Sequence, residues 1–452
     1  MATVADRLAK LGSAEEAPRK PAGPQRLVAL DAYRGLIMIV LAGGGFGIGS
    51  TVRNIMAAAE KGARNVPAVD PAVLERLSYH FSHPEWISQA GHFEGSFWDI
   101  FGVIGCSAWD MIQPSFMFMV GVAMTYSYAK REARGDSRLK TWFHVITRSA
   151  VLVLLGVLLS SNWASQTNWT FANVLCQIGL GYAFVYPLWN RSFGAQLLAG
   201  ALILVGYWLA FFLYPTPGPN YDYAALGLDQ GVVPGLFEHW NKDANIAAEI
   251  DHWFLNLFPR SERFTGNPGG YATLNFIPSI FTMLLGVMAG GLLRGRRRPM
   301  AKFALLVLGG LFCIALGAGA GLTICPVIKR IWTPSWTLLA GGWTLWILAA
   351  FYLVVDCARL RFWTWPLVVV GTNSMAVYMM WQLMKSWIVK TLEIHFGLDL
   401  VPAPVLERLS AWSGVPLGHD SLYAPMVQAT MTLLVIWLIC VWLYRQKMFI
   451  RI

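Results

Sequence analysis

Charge is what this 452-residue chain has least of. Asp, Glu, Lys and Arg together supply 13% of it, about half the share usual in soluble domains, which argues against a water-soluble surface over that length. Cysteine is also thin. The six residues, at 106, 176, 313, 325, 357 and 440, show no CxxC or CxxH spacing, so neither a metal site nor a disulfide framework is indicated. A bridge between Cys106 and Cys325 stays open, because its geometry is not written in the sequence. The formal net charge of +10 is spread over short loops between apolar segments, a pattern of membrane topology and not of a nucleic-acid partner. Residues 1–27 hold Arg7, Lys10, Arg19, Lys20 and Arg26 among Pro and Gly, without the apolar core and small-residue cleavage site of a signal peptide. They read as a flexible basic cytosolic tail, and the first spanning helix as an uncleaved anchor. No internal repeat of the kind found in inverted-repeat transporters is visible.

What the chain has in abundance is apolar and aromatic surface: 56% hydrophobic residues, with 21 Trp, 25 Phe and 15 Tyr. A helix across the hydrocarbon core needs about 20 mostly apolar residues. Ten stretches qualify, at roughly 28–50, 108–129, 142–161, 172–189, 195–214, 272–293, 302–324, 335–355, 365–388 and 423–444. Basic clusters fall at Lys130–Lys140, Arg294–Lys302, Arg359–Arg361 and Arg445–Arg451; ten spans with the N-terminal tail inside put all of them in the cytosol. The expectation is an all-α integral membrane protein of about 10 transmembrane helices in the cell (inner) membrane, both termini cytosolic. Its single transmembrane domain, 28–452, then carries long outer-face loops at 51–107, 215–271 and 389–422, rich in Trp, Pro, Asn, Gly and His.

The second span opens on Trp109-Asp110-Met111-Ile112-Gln113-Pro114-Ser115. A carboxylate and an amide at the mouth of an apolar helix are costly unless they meet a partner, water or a substrate. His83 and Trp86 precede that mouth in the loop, and an imidazole can both take and give a proton near neutral pH. An amine acceptor such as an amino sugar needs its ammonium deprotonated before it attacks a thioester; histidine suits that task, or could carry the acyl group itself. Asp31 and Arg34 lie three apart and share one face of span one, where each costs roughly 2.5–3.5 kcal/mol at mid-membrane; they read either as a structural ion pair or as a cytosolic anion contact. Gly371-Thr372-Asn373-Ser374 interrupts span nine, as a broken helix lining a cavity would, or as close helix packing would. Lys329-Arg330-Ile331-Trp332-Thr333-Pro334-Ser335 opens span eight as helix-start and interfacial residues. Gln177, Asn275 and Ser279 are further buried polar groups in need of partners.

Taken together, Leu30-Asp31-Ala32-Tyr33-Arg34-Gly35, His83-x-x-Trp86 followed by Trp109–Phe118, Lys329-x-x-Trp332-Thr333-Pro334-Ser335 and Gly371–Tyr378 resemble the heparan-α-glucosaminide N-acetyltransferase family of multi-pass transmembrane acyltransferases. The resemblance implies that acetyl-CoA binds from the cytosol and that its acetyl group passes to the amine of a terminal glucosamine on the far side, with the family's essential histidine at His83. The chain departs from the family pattern in several places. Ala42 or Gly43 stands where animal members have an asparagine, Gln177-Ile178 replaces a Gln-Arg pair, and Asn267-Pro268-Gly269-Gly270 replaces Asp-Pro-Glu-Gly. About 18 extra residues, including His92, come after Trp86.

The resulting expectation is an acetyl-CoA-dependent N-acetyltransferase acting on an amino sugar or envelope glycan. Catalytic roles fall to His83, Asp110 and Asn373, acceptor binding to Trp86, Gln113, Trp332 and Ser374, and contacts to the CoA thioester to Asp31, Arg34, Gln177 and Asn275. No metal is expected. The lipid bilayer is a partner, nucleic acid is not, and a homodimer is compatible with the sequence. Two other readings fit some of these residues: a sugar permease built on the broken ninth span, and a non-catalytic relative that binds envelope glycans through outer-loop aromatics.

Overall fold

The structure, a computed structural model, describes residues 27–63, 66–83, 86, 106–218 and 235–450. Among these residues there are helices and no strands. The main elements are α1 (Val28–Ala42), α2 (Ile48–Glu60), α3 (Pro71–His80), α4 (Ile112–Ala133), α5 (Arg138–Ser160), α6 (Val174–Val185), α7 (Phe193–Leu213) and α8 (Ile246–Phe254). They continue as α9 (Phe276–Arg294), α10 (Pro299–Thr323), α11 (Pro334–Phe351), α12 (Trp365–Thr372), α13 (Ser374–Phe396), α14 (Ala403–Ser413) and α15 (Ala424–Arg445). Short polar side chains set many of the starts, each accepting a bond from a backbone N–H that the helix leaves unpaired. Ser137 caps α5, Asn173 caps α6, Ser192 caps α7, Asn245 caps α8 and Thr333 caps α11.

All ten predicted stretches are helical, but fewer than ten meet the physical requirement for crossing a bilayer. Among the described residues six helices are long and apolar enough, and two bent pairs bring the number to eight. The first pair, α1 with Gly44–Glu60, bends by 45°; the second, α12 with α13, bends by 77°. Two expected spans fall short for different reasons. α4 has the length but carries Gln113, Ser115, Thr125, Lys130 and Arg131. α6 has 12 residues, lengthened only by the turn Tyr186–Leu188, which gives about 22 Å at 1.5 Å per residue against a core of about 30 Å. Both pack in the bundle interior, where lipid does not test their composition. The loop expected at 51–107 is also partly helical, containing most of α2 and all of α3.

Close backbone contacts at glycines tie the bundle together. A Cβ on Gly121 of α4 would overlap the Met283 carbonyl of α9, and one on Gly286 would overlap the Phe118 carbonyl in return. Gly35 of α1 and Gly371 of α12 face each other in the same reciprocal way, against Leu367 O and Asp31 O. Such approach is how helices associate where burial against lipid offers no hydrophobic gain. Side chains such as Met117, Phe118, Met283, Trp336 and Leu339, all fully buried, fill the space between.

Two ends emerge from these contacts. At one, Arg294 donates to Thr125 O at 2.8 Å and Ala29 N donates to Asp356 Oδ2 at 3.3 Å, gathering the start of α1 with the ends of α4, α9 and α11 beside the basic loops. At the other lie the starts of α4, α6, α9 and α11.

Candidate active site

The chain delivers His83 just past the end of α3, and Ser107 fixes its place. The Ser107 Oγ donates to Ser82 O at 2.9 Å and accepts from Asp110 N at 3.1 Å, clamping the two sides of segment 84–105 together. Most of that segment, including His92, lies outside the described residues. The clamp sets His83 beside Asp110 in the turn Trp109–Met111 that leads into α4. His83 Nδ1 lies 2.5 Å from Asp110 Oδ1, within hydrogen-bonding reach.

A third group reaches the same oxygen from the far part of the chain. Lys329 Nζ donates to Asp110 Oδ1 at 2.8 Å and stands 3.5 Å from His83 Nδ1. The Asp110 side chain is 2% exposed and that of Lys329 9%, whereas that of His83 is 40% exposed. A carboxylate this deep needs a compensating charge, and Lys329 supplies it. The loop that presents Lys329 is tight: Trp332 N donates to Lys329 O, Ile328 N to Thr333 Oγ1, and Trp332 adopts a left-handed φ of 50°. A bulky residue with that backbone is unusual and is held by its surroundings. Trp332 itself is buried against Trp336, edge to face at 6.4 Å.

His83, Lys329 and Gln113 line one cavity of about 390 Å³, within the range of small-molecule sites. Asn267, Tyr271 and Gln382 add polar wall, and Leu41, Ile112 and Phe116 add apolar wall. The Tyr271 ring stands 6.4 Å from that of His83, and Lys329 Nζ lies 5.8 Å from the Tyr271 centroid. Gln113 Nε2 donates to Gln177 Oε1 at 2.7 Å, and Gln177 in turn donates to Ala172 O at 2.9 Å. Cys106, next to the site, is no competing nucleophile: burial, reinforced by the Asp110 charge, pushes its thiol far above the usual range. All six cysteines are free, Cys106 and Cys325 included.

The other expected site residues are placed apart from this cavity. Trp86 donates from Nε1 to Trp240 O at 2.8 Å and packs on Gly270, so it braces the loop behind Tyr271. Asn275 sits at the same end and donates to Arg330 O at 2.7 Å, its Oδ1 left without a partner among the described residues. Asn373 lies at the break between α12 and α13, fully buried, and accepts from Ile450 N at 3.0 Å. Ser374 comes next in the chain, half-buried. Asp31 and Arg34 pair at 3.8 Å near the start of α1, at the basic end. The cavity also recruits Lys329, Tyr271, Asn267 and Gln382, none of which the sequence pattern marks as a site residue. Lys329 heads a recognisable motif but has the local look of an interfacial anchor, because its partner lies 219 residues away.

Helices of this length and apolarity, closed around a cavity whose mouth holds a histidine, a carboxylate and a lysine, define a multi-pass helical membrane protein with a polar site at one end. The sequence is similar to that of heparan-alpha-glucosaminide N-acetyltransferase from Mus musculus, 25% identical over 338 residues that cover 66% of this chain and 50% of that protein. It is likewise similar to heparan-alpha-glucosaminide N-acetyltransferase from Homo sapiens, 24% identical over 404 residues, 80% of this chain and 53% of that protein. The chain thus spans about half the length of the curated relatives it matches, and is a divergent relative of these N-acetyltransferases. No family model matches it.

Proposed function

We propose that the protein is a membrane acetyltransferase that moves an acetyl group from acetyl-CoA to the amine of an amino sugar, glucosamine-like, or of an envelope glycan, with His83 as general base or acyl carrier. The observation that carries this reading is the 2.5 Å pairing of His83 Nδ1 with the buried Asp110 carboxylate, in a chain whose relatives are N-acetyltransferases. A carboxylate at Nδ1 fixes the tautomer with the proton there, which leaves the Nε2 lone pair free. That nitrogen takes a proton from the acceptor ammonium. The amine then attacks the thioester carbonyl; the new C–N bond forms as the C–S bond breaks, the imidazolium returns its proton to the departing thiolate, and the second proton that the nitrogen sheds on becoming an amide passes through the freed Nε2 to water. In the two-step form Nε2 itself attacks the thioester, the C–S bond breaks and CoA leaves as thiolate, and an unprotonated amine then takes the acetyl group as the Nε2–acyl bond breaks and frees the imidazole. Lys329 puts positive charge on the cavity wall, where negative charge develops on the carbonyl oxygen. The apolar wall suits the acyl arm and the polar wall the sugar. The pairing of Arg34 with Asp31 at the basic end keeps a guanidinium where the CoA phosphates would meet the protein.

The test is acetyl transfer from labelled acetyl-CoA to glucosamine by purified protein. His83→Ala is expected to fold and to lower transfer at least about 100-fold, the usual share of a positioned acid–base group. Rates within a few fold of wild type would overturn the assignment. Rapid quenching of the wild-type reaction separates the two forms: label covalently attached to protein, and absent from His83→Ala, marks the acyl carrier.

A further inference from the structure

A second, larger hollow lies away from the His83 cavity, against the lipid-facing side of the bundle. Its floor is α9, with α7 on one flank and α10 and α11 on the other. It has a volume of about 1290 Å³, above the range usual for small-molecule sites. Along the floor it runs from Phe281 to Arg294, fourteen residues and so about 20 Å, the reach of an acyl chain. Phe281, Leu285 and Leu306 are buried in its base, while Leu308 and Phe312 stand exposed on its rim.

The two ends of the crevice differ. One is closed by Trp208 of α7, whose Nε1 donates to Ile324 O just beyond α10 at 3.0 Å. The other is edged by Arg191, Arg294 and Arg297, all exposed, and no carboxylate stands among the described residues that line the crevice. Arg294 is held in place by its bond to Thr125 O and by the Tyr126 ring at 6.0 Å. A slot apolar along its length, shut at one end and cationic at the other has the shape and charge of a phospholipid with an anionic headgroup.

We infer that the crevice between α7, α9 and α10 is a binding site for an anionic phospholipid, its acyl chains along α9 and its phosphate among Arg191, Arg294 and Arg297. The site is independent of the acetyl-transfer chemistry and touches none of its residues. Arginine suits the task because its fork pairs with two phosphate oxygens.

Purified full-length protein, supplied with mixed dioleoyl phosphatidylglycerol and dioleoyl phosphatidylcholine, is examined by native mass spectrometry for retained lipid. Phosphatidylglycerol should be retained about tenfold or more over phosphatidylcholine, as two or three arginines near one phosphate predict. The double variant Arg191→Gln/Arg297→Gln should remove that preference. Gly291→Leu, which extends into open space in the crevice, should displace both lipids. His83→Ala should retain lipid as wild type does. Raising salt from about 50 to about 500 mM should cut the wild-type preference several-fold, because the arginines are exposed; this measurement stands even where a variant fails to fold. Equal retention of the two lipids, or retention unchanged by either variant, would overturn the inference. So would a Gly291→Leu protein that loses a dimer but keeps its lipid, since the crevice would then be a contact between copies.

Discussion

At the scale of single residues, the site turns on one oxygen. Asp110 Oδ1 receives both His83 Nδ1 and Lys329 Nζ, so the two neighbours can be removed separately and their effects compared. Asp110→Asn keeps the shape of the acceptor but loses its charge and can offer N–H to the ring, releasing His83 from the tautomer that exposes Nε2. Transfer should fall by about 100-fold or more with the KM for acetyl-CoA little changed, since no substrate contact is lost. Lys329→Met acts differently. It strips a buried carboxylate of its compensating cation, and breaking such a pair costs on the order of 3 kcal/mol. Thermal unfolding of the purified protein should show that loss in Lys329→Met, and most of it should return in the double variant Lys329→Met/Asp110→Asn, where no charge is left uncompensated. A double variant as unstable as the sum of the singles would mean that Lys329 and Asp110 are not energetically coupled.

At the scale of elements, the reciprocal glycine contacts explain why α4, polar as it is, stays in the bundle. Its backbone lies directly on α9 at Gly121 and Gly286, where any side chain would meet a carbonyl. Gly286→Leu should therefore lower the unfolding temperature strongly, by an overpacking cost of about 3 kcal/mol or more. Gly206, in the middle of α7 with nothing near its missing Cβ, is the control: Gly206→Ala should be neutral or stabilise by about 0.5–1 kcal/mol. Equal losses at both positions would show that glycine matters here for something other than close approach. This packing also marks what the sequence could and could not convey. The apolar runs announce helices, and the polar opening at Asp110 and Gln113 announces a mouth, because both are local patterns. That α4 and α6 are interior helices is not local; it depends on what covers them. The break at Asn373 is likewise visible as Gly-Thr-Asn-Ser, but the 77° turn that carries Asn373 to Ile450, and not to His83, is set by packing of α12 on α1. Lys329 is hidden for the same reason, its meaning residing in a partner more than two hundred residues away.

At the scale of the whole molecule, the distance between the two ends gives the proposed reaction its direction. α4 begins beside Asp110 and reaches Arg131, 21 residues on, which is about 30 Å at 1.5 Å per residue and matches the thickness of the hydrocarbon core. His83 and the basic loops therefore stand at opposite ends of a helix as long as the membrane is thick. If CoA phosphates are held at the basic end and the acetyl group is delivered at His83, donor and acceptor need not share a compartment. Vesicles reconstituted with the purified protein, loaded with glucosamine and given labelled acetyl-CoA only outside, should accumulate labelled N-acetylglucosamine inside. The label should be lost when His83→Ala replaces the wild type, and the vesicles should remain sealed to free acetyl-CoA in both cases. Acetylation only when donor and acceptor are on the same side would show that both substrates enter from one face. The histidine site would survive that result, but transfer across the membrane would not, because it needs donor and acceptor to be served from opposite ends of the bundle.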